Sequence, residues 1–289
     1  MGKLGYLCGE SHVHVPFEKL APMFVAEGLD FGTMLHWWNE RRLPVADGDS
    51  VRILEFAGHS VPTTVYDAEV EHPWGSILIT NLPAPHDVSP LRAIPNLPHA
   101  KRARELGALV HYQAGWSREV GLDALLGYVD VINVCNNNFH LHRFQPRSHY
   151  SNLLETPGLP MYRNTPEDMM RMNTETYYRL LNWGLRLAAG AESATGAKQT
   201  VVGYNRAYVR VEPGATIAEF YDAWKAGRNF VTNGPMLFLE VGDGQLPGDT
   251  ISLPAAGVEL PAVDAKKDVA RMLRRRAAGE HATHQHENI

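Results

Sequence analysis

Seven short apolar runs mark the first 191 residues of this chain, and most of them end on a residue with chemistry to offer. They are Gly5–His14, Asp30–His36, Val51–Phe56, Ser76–Leu82, Gly107–Gln113, Val129–Asn136 and Leu185–Ala191. Runs of this length, bounded by turn residues, fit buried strands better than core helices. Amphipathic stretches lie between several of them. Pro16–Ala26 carries Phe17, Leu20, Met23 and Phe24 at helical spacing. His99–Leu106 is short and basic, and Glu119–Tyr128 carries Leu122, Leu125 and Leu126. Pro166–Trp183 is the longest, with Pro166 suited to a first helical turn and Thr165 to an N-cap. Strand and helix alternating this often predict a parallel sheet or barrel of βα units.

Two stretches break the pattern. Asn138–Asn164 is polar, contains Pro146, Pro157 and Pro160, and reads as a long loop of the kind that forms lids. Asn205–Val241 reads as strand, helix, strand: Arg206–Val211, Thr216–Ala226, then Phe230–Val241 broken by Asn233-Gly234-Pro235. From about Ala262 the chain is charged and lacks aromatics, which predicts a frayed helix at Asp264–Ala278 and disorder beyond it. The expected division is a domain over 1–204, a C-terminal strand-helix-strand extension over 205–260 and a charged tail over 261–289.

Composition narrows the function classes. With 44% apolar and 20% charged residues, the 289-residue chain is neither disordered nor fibrous. No apolar run approaches the ~18 residues of a membrane-spanning helix. A net charge of −5, with the only basic cluster at Arg274-Arg275-Arg276, argues against an electrostatic nucleic-acid binder. The expected partner is a small-molecule substrate. The N-terminus lacks the pattern of a signal peptide, so the chain as given reads as cytoplasmic. Cys8 and Cys135 sit in apolar strand-like stretches and read as small buried hydrophobes rather than a redox pair.

Histidine is concentrated: eleven of the 14 precede residue 150. The sharpest local signal is Glu10-Ser11-His12-Val13-His14. On a strand, His12 and His14 point to the same side, so two imidazoles converge at its end. Such a pair chelates zinc, manganese or iron, although two polar residues on a solvated face make the same pattern. A metallo-β-lactamase pattern would place Asp-His soon after the pair, where Pro16-Phe17 stand. A cupin needs a glycine frame and a second histidine-bearing strand motif, neither of which is present. An amidohydrolase needs a lysine on a middle strand, and there is none between Lys19 and Lys101. Further candidates sit at or near the ends of successive runs: His36, Glu55 with His59 four residues on, His111 and Glu192. In βα barrels that end of the strands is where active sites are built.

This order of residues resembles the polymerase and histidinol phosphatase (PHP) family, and more closely its carbaryl-hydrolase-like (CehA/McbA) branch. The resemblance spans about Gly9 to Asp249. It includes Tyr178-Arg179-Leu180-Leu181-Asn182-Trp183-Gly184-Leu185-Arg186, then Gly203-Tyr204-Asn205-Arg206-Ala207-Tyr208-Val209, and Ala226-Gly227-Arg228-Asn229-Phe230-Val231-Thr232-Asn233-Gly234-Pro235. It implies an α/β fold, a distorted seven-stranded (β/α) barrel of PHP type with a short C-terminal β extension. It implies that His12 and His14 are the first metal pair and that Glu55 is a bridging carboxylate. His59 or His111 would complete a second site. His36 matches the histidine of the usual Asp-His motif, with Leu35 in the Asp position. Gly190-Ala191-Glu192-Ser193-Ala194 stands where the family has Gly-Ser-Asp-Ala-His, so Glu192 replaces the Asp and Ala194 the His. That loss favours one or two divalent ions over three.

The expected activity is a metal-dependent hydrolase of an ester, amide or carbamate bond. His36 is the candidate acid or base. Arg206, Asn137 and Asn138 would contact a polar or anionic substrate, and Trp38 would wall the pocket. A phosphoesterase of the same fold is the alternative and would want further basic residues, Arg143 or Arg147 being candidates. A degenerate binding or structural domain is the rival from another class.

Overall fold

The computed structural model describes residues 2–72, 74–89, 95–113, 117–139, 162, 165–236, 238–241 and 244–251. The chain divides into two compact units, 1–233 and 234–289. In the second, Val241 and Gln245 exchange two backbone hydrogen bonds of 2.9 and 3.0 Å. The lid expected over 138–164 lies outside the described residues apart from 138, 139 and 162, and so does the tail from 262.

Among the described residues, the first unit holds eleven strands in two sheets. β1 (Tyr6–Gly9), β10 (Arg206–Arg210) and β11 (Asn229–Thr232) form a three-stranded antiparallel sheet in the order β1-β10-β11. The larger sheet runs β3 (Arg41–Arg42), β2 (Gly32–Trp38), β5 (His59–His72), β6 (Gly75–Thr80), β7 (Leu109–Tyr112), β8 (Val131–Cys135) and β9 (Ala188–Ala191), with β4 (Val51–Phe56) paired to β5. Only β2/β5, β7/β8 and β8/β9 are parallel; β3/β2, β4/β5, β5/β6 and β6/β7 are antiparallel.

This corrects the expected fold class. A (β/α) barrel needs a helical crossover between successive parallel strands. Here β4 to β7 form consecutive antiparallel pairs, and five α-helices accompany the described strands. The fold is a mixed α/β arrangement dominated by sheet. The hairpin joining β4 to β5 turns on Ala57 (φ 50°) and Gly58 (φ 82°), the two positive φ angles of a type I′ turn.

The helices follow their sequence signals closely. They are α1 (Leu20–Ala26), α2 (Leu97–Glu105), α3 (Val120–Leu125), α4 (Pro166–Asn182) and α5 (Ile217–Lys225). Thr165 caps α4, its Oγ1 accepting from Asp168 N at 3.3 Å. Thr216 and Glu219 form a reciprocal capping box on α5. No helix among the described residues is long and apolar enough to cross a membrane.

Two apolar clusters hold the unit together. One gathers Val70, Ile77, Ile79, Val110, Tyr112, Ile132 and Leu180 with Ala100, Ala103, Val120 and Ala124 of α2 and α3. The other forms around α5, where Phe220, Tyr221 and Trp224 meet Phe31, Leu109, Val131, Ala188 and Val209. Trp224 is fully buried, and its Nε1 donates to Ala189 O at 2.9 Å. Cys8 and Cys135 are free and buried, the first donating to Gly28 O at 3.1 Å and the second to Asn205 Oδ1 at 3.3 Å. Trp224→Ala removes a large buried ring and one of the two donors to the Ala189 carbonyl, Asn229 Nδ2 being the other at 2.7 Å. It should cost about 3–5 kcal/mol in urea unfolding, with a matching fall in midpoint.

Candidate functional site

Beyond β1 the chain leaves the three-stranded sheet and runs between the ends of β2 and β9. Leu35 N donates to Val13 O at 2.9 Å, and His14 N donates to Thr195 O at 2.7 Å. Ser11 Oγ reaches Ala191 O at 3.2 Å. With Val13 held on both sides, strand-like alternation turns His12 and His14 to one face. Glu10 is buried and anchors the segment by accepting from Ser193 N at 2.9 Å and Gly203 N at 3.1 Å. Burial pushes its carboxyl up to about 7, against those hydrogen bonds.

Glu69, on β5, completes a tight cluster. His12 Nε2 lies 2.8 Å from His14 Nε2 and 3.2 Å from Glu69 Oε2, and His14 Nε2 lies 2.9 Å from the same oxygen. Metal bonds of about 2.0–2.1 Å put adjacent donor atoms about 2.8–3.4 Å apart, depending on whether the angles are octahedral or tetrahedral. The three separations fall within that span. His12 and Glu69 are almost fully buried, and the His14 side chain nearly so.

Glu192 supports this cluster from behind. Its Oε2 lies 2.9 Å from His12 Nδ1 and accepts from Asn133 Nδ2 at 3.0 Å. Gln113 Nε2 donates to Glu69 Oε1 at 2.5 Å and lies 3.4 Å from His12 Nδ1. Burial lowers the His12 imidazole, but the charges of Glu69 and Glu192 and their hydrogen bonds outweigh it, and the pKa is pushed up to about 10. Burial raises Glu69, but the His12 charge and hydrogen bonds from both imidazoles hold its carboxyl well below the usual range. His14 is lowered, chiefly by burial.

Beside the cluster lies a pocket of about 170 Å³ lined by His14, Leu35, His36, Trp38, Arg41, Leu43 and Gly196. Gly196 has φ +94°, and a Cβ there would collide with the His14 backbone, so only glycine lets this loop pass. Trp38 leans on His14 at 4.5 Å between ring centroids, and its Nε1 donates to Glu71 Oε2 at 3.1 Å. Arg41 stacks over the Trp38 ring at 4.7 Å. Arg42 Nε donates to His36 Nε2 at 3.1 Å. An arginine only donates, so His36 Nε2 is the acceptor and Nδ1 carries the proton. That Nδ1 is buried without a hydrogen-bond partner. Burial lowers the His36 pKa, and the Arg42 charge adds to it. Lys198 Nζ donates to Asn137 Oδ1 at 3.3 Å and Asn138 Oδ1 at 3.5 Å and feels the charges of Glu192, Glu71 and Glu69.

The structure therefore joins His12, His14 and Glu192 and sets His36 and Trp38 beside them. Glu55 and His59 are corrected: both are exposed near the tip of the β4–β5 hairpin and take no part in the cluster. Glu192 reaches Nδ1 of His12, the ring atom turned away from Glu69, so it stands behind that imidazole and outside the cluster of three. His111 is a core residue, with Nε2 2.9 Å from Thr80 Oγ1 and its ring edge-on to Trp224. Arg206 does not face the pocket cluster; it donates to Gly203 O at 2.5 Å and Glu27 O at 2.8 Å, fastening the chain beside β1. Asn137 and Asn138 hold Lys198 instead of standing alone. Arg143 and Arg147 lie outside the described residues. Glu69 is the residue that sequence reasoning missed. Its signal was Asp67, Glu69 and Glu71, three acids at alternate positions in an otherwise apolar stretch.

Burial pushes the His111 pKa down to about 4, with Asp130 opposing, from an ordinary 6.5. Because the folded pKa is the lower, its neutral-state stability is complete above pH 6.5 and is lost as pH falls towards 4. His111→Gln should lose less unfolding free energy than wild type between pH 6.5 and 4.5 in paired denaturant titrations. Equal losses would assign the acid sensitivity to other groups.

No protein-family model matches the sequence, and no curated protein matches it. Among solved structures, the crystal structure of PsfC from Pseudomonas syringae PB-5123 is similar with a TM-score of 0.43 and 14% identity, over 79% of this chain and 91% of that one.

Proposed function

We propose that His12, His14 and Glu69 hold one divalent ion (zinc, manganese or iron) and that the chain is a metal-dependent hydrolase of ester, amide or carbamate bonds. The observation that carries this is the meeting of three lone-pair atoms within 3.2 Å in a nearly dry site. Among the described residues this is the one group of three His, Cys, Asp or Glu side chains placed to hold an ion. The strong pull of two buried carboxylates on a proton at His12 equally favours a cation in its place. The His12-Val13-His14 part of the PHP resemblance supports the reading, with Glu69 taking the role first given to Glu55.

A bound ion of this kind supplies an activated water and polarises the bond to be cleaved. The chain's own groups do the rest. Glu192 fixes the His12 tautomer and ring orientation, and Gln113 fixes Glu69. Trp38 shields His14 from solvent. His36 and Leu43 form part of the pocket wall beside His14.

A second reading, a phosphoesterase, is favoured by the cations Arg41, Arg42 and Lys198, which take the place expected of Arg206. Guanidinium and ammonium groups recognise phosphate oxygens.

Elemental analysis of purified protein tests the centre. Wild type should carry about one equivalent of zinc, manganese or iron, His12→Ala/His14→Ala none, and Glu55→Gln the wild-type amount. No bound ion, and no thermal stabilisation by any of the three, would sink the hydrolase reading and leave a binding domain. Glu192→Gln should weaken metal affinity about 10–100-fold without abolishing it. For substrate class, compare 4-nitrophenyl acetate, an aryl carbamate and 4-nitrophenyl phosphate. Turnover of the phosphate alone, with KM raised in Arg41→Ala, selects the phosphoesterase.

A further inference from the structure

We infer that the substrate of the His12 centre carries a free carboxylate a few bonds from the bond to be cleaved, and that Arg41 is the residue that selects it. The inference rests on the hydrolase reading and names its substrate class.

The hairpin of β2 and β3 fixes Arg41 relative to the cluster. Its two-residue turn is Asn39-Glu40, with Asn39 at φ 51°, a left-handed angle that asparagine tolerates. Asn39 N donates to Glu69 O at 3.2 Å, and Asn39 Oδ1 accepts from Glu71 N at 2.8 Å. The turn is thus fastened to the backbone of the residue that completes the cluster. Trp38 and Arg41 stand opposite each other across the hairpin. Trp38 meets His14 at 4.5 Å between ring centroids, and the guanidinium carbon of Arg41 lies 4.7 Å from the centre of the Trp38 ring. All three side chains line the same cavity.

Arg41 is held but not spent. A guanidinium over an indole ring is attracted by its charge and leaves its N–H edge open. Among the described residues, no hydrogen bond or ion pair takes up the Arg41 N–H groups. The side chain is exposed, so water occupies them and a ligand displaces it. Arg42 differs: it donates to His36 Nε2 at 3.1 Å and lies over the Trp37 ring at 5.7 Å.

Charge and size decide the kind of ligand. Among the described residues that line the cavity, Arg41 is the one with a fixed charge, and no Asp or Glu joins it. An ion held by two imidazoles and one carboxylate would add a further positive charge. One guanidinium matches one carboxylate, whose two oxygens meet its paired N–H groups. A phosphate dianion would want a second cation at the wall. Arg42 and Lys198 do not line it, and Lys198 is turned to Asn137 and Asn138. The cavity of about 170 Å³ is smaller than the roughly 300–1,000 Å³ of pockets for drug-sized ligands, and Leu35 and Leu43 give a short linker an apolar wall. The class is therefore a small ester, amide or carbamate that bears a free acid group. Hydrolysis adds one water across the acyl C–O or C–N bond and leaves that carboxylate unchanged.

The test uses chelator-treated full chain, so that its outcome does not depend on an ion. Monomethyl succinate and dimethyl succinate differ by one free carboxylate. Each is titrated separately, with binding read by saturation-transfer NMR. Wild type should bind the monoester at least about tenfold more tightly. Arg41→Gln should bring the two to equal affinity, and Arg41→Lys should keep part of the preference. A role confined to bracing Trp38 would shift both esters alike and leave the preference in place. No preference for the monoester, or one that survives Arg41→Gln, overturns the assignment. Inorganic phosphate binding more tightly than the monoester, and losing that affinity in Arg41→Gln, makes the seat a phosphate site and overturns it equally. Elemental analysis reports on the ion and this titration on Arg41, so either can fail without the other.

Discussion

The structure turns on five residues, Glu10 to His14, of which the first four are buried and His14 half-buried, without belonging to a regular strand. A backbone in that position must find partners for every N–H and C=O or lose stability. It finds them on two sides at once, at Leu35 and at Thr195. Glu10 and Asn205 then fasten the chain that surrounds it. Glu10 takes two backbone amides, and Asn205 Nδ2 donates to the carbonyls of Asn136, Phe139 and Glu192 at 3.1, 2.9 and 2.8 Å. The ends of β2, β8 and β9 are thereby drawn to one place, and the two imidazoles are fixed before any ligand arrives. Preorganisation of this sort is what a metal centre requires of its scaffold.

The same economy of burial sorts the acids on the inner face of β5. Asp67 is fully buried but surrounded by hydroxyl donors. Thr33 Oγ1 lies 2.5 Å away, Thr64 also donates, and Leu82 N is at 3.3 Å. Burial still pushes its pKa up to about 6, because no cation stands beside it. Glu69, two residues on, has His12 and His14 and is driven the opposite way. Two carboxylates on one strand face thus have opposite characters. The hydroxyl-lined one is a structural polar knot, and the imidazole-lined one is the carboxylate proposed to hold the ion.

The sequence made the helices and most strands legible, because capping residues and apolar spacing act locally. Thr165 caps where its side chain predicts, and Thr216 begins its helix where the apolar spacing places it. Topology was less legible. The two-residue link Ala57-Gly58 can join only antiparallel strands, but the stretch after it carries polar residues at alternate positions, so the apolar pattern passes from Val51–Phe56 straight to Ser76–Leu82. β5 escaped for a sharper reason. Its inner face carries Asp67, Glu69 and Glu71, so a search for apolar runs passes over the longest strand in the fold. Strands whose interior face is polar are the ones that hydrophobicity hides, and functional acids sit on such faces. Glu55 stands out in the sequence because it lies near the end of an apolar run, which Glu69 does not. Being at a strand end says nothing about which way the sheet carries that end.

The two thiols have a use unrelated to the site. Burial pushes both Cys8 and Cys135 up to about 12, so neither supplies thiolate at neutral pH while the fold is closed. Cys8 belongs to the three-stranded sheet and Cys135 to the larger one. An alkylating reagent that reaches one of them does so only through an opening of the strands around it. The chain carries a natural pair of clocks, one in each sheet, able to report whether the two come apart together or in sequence.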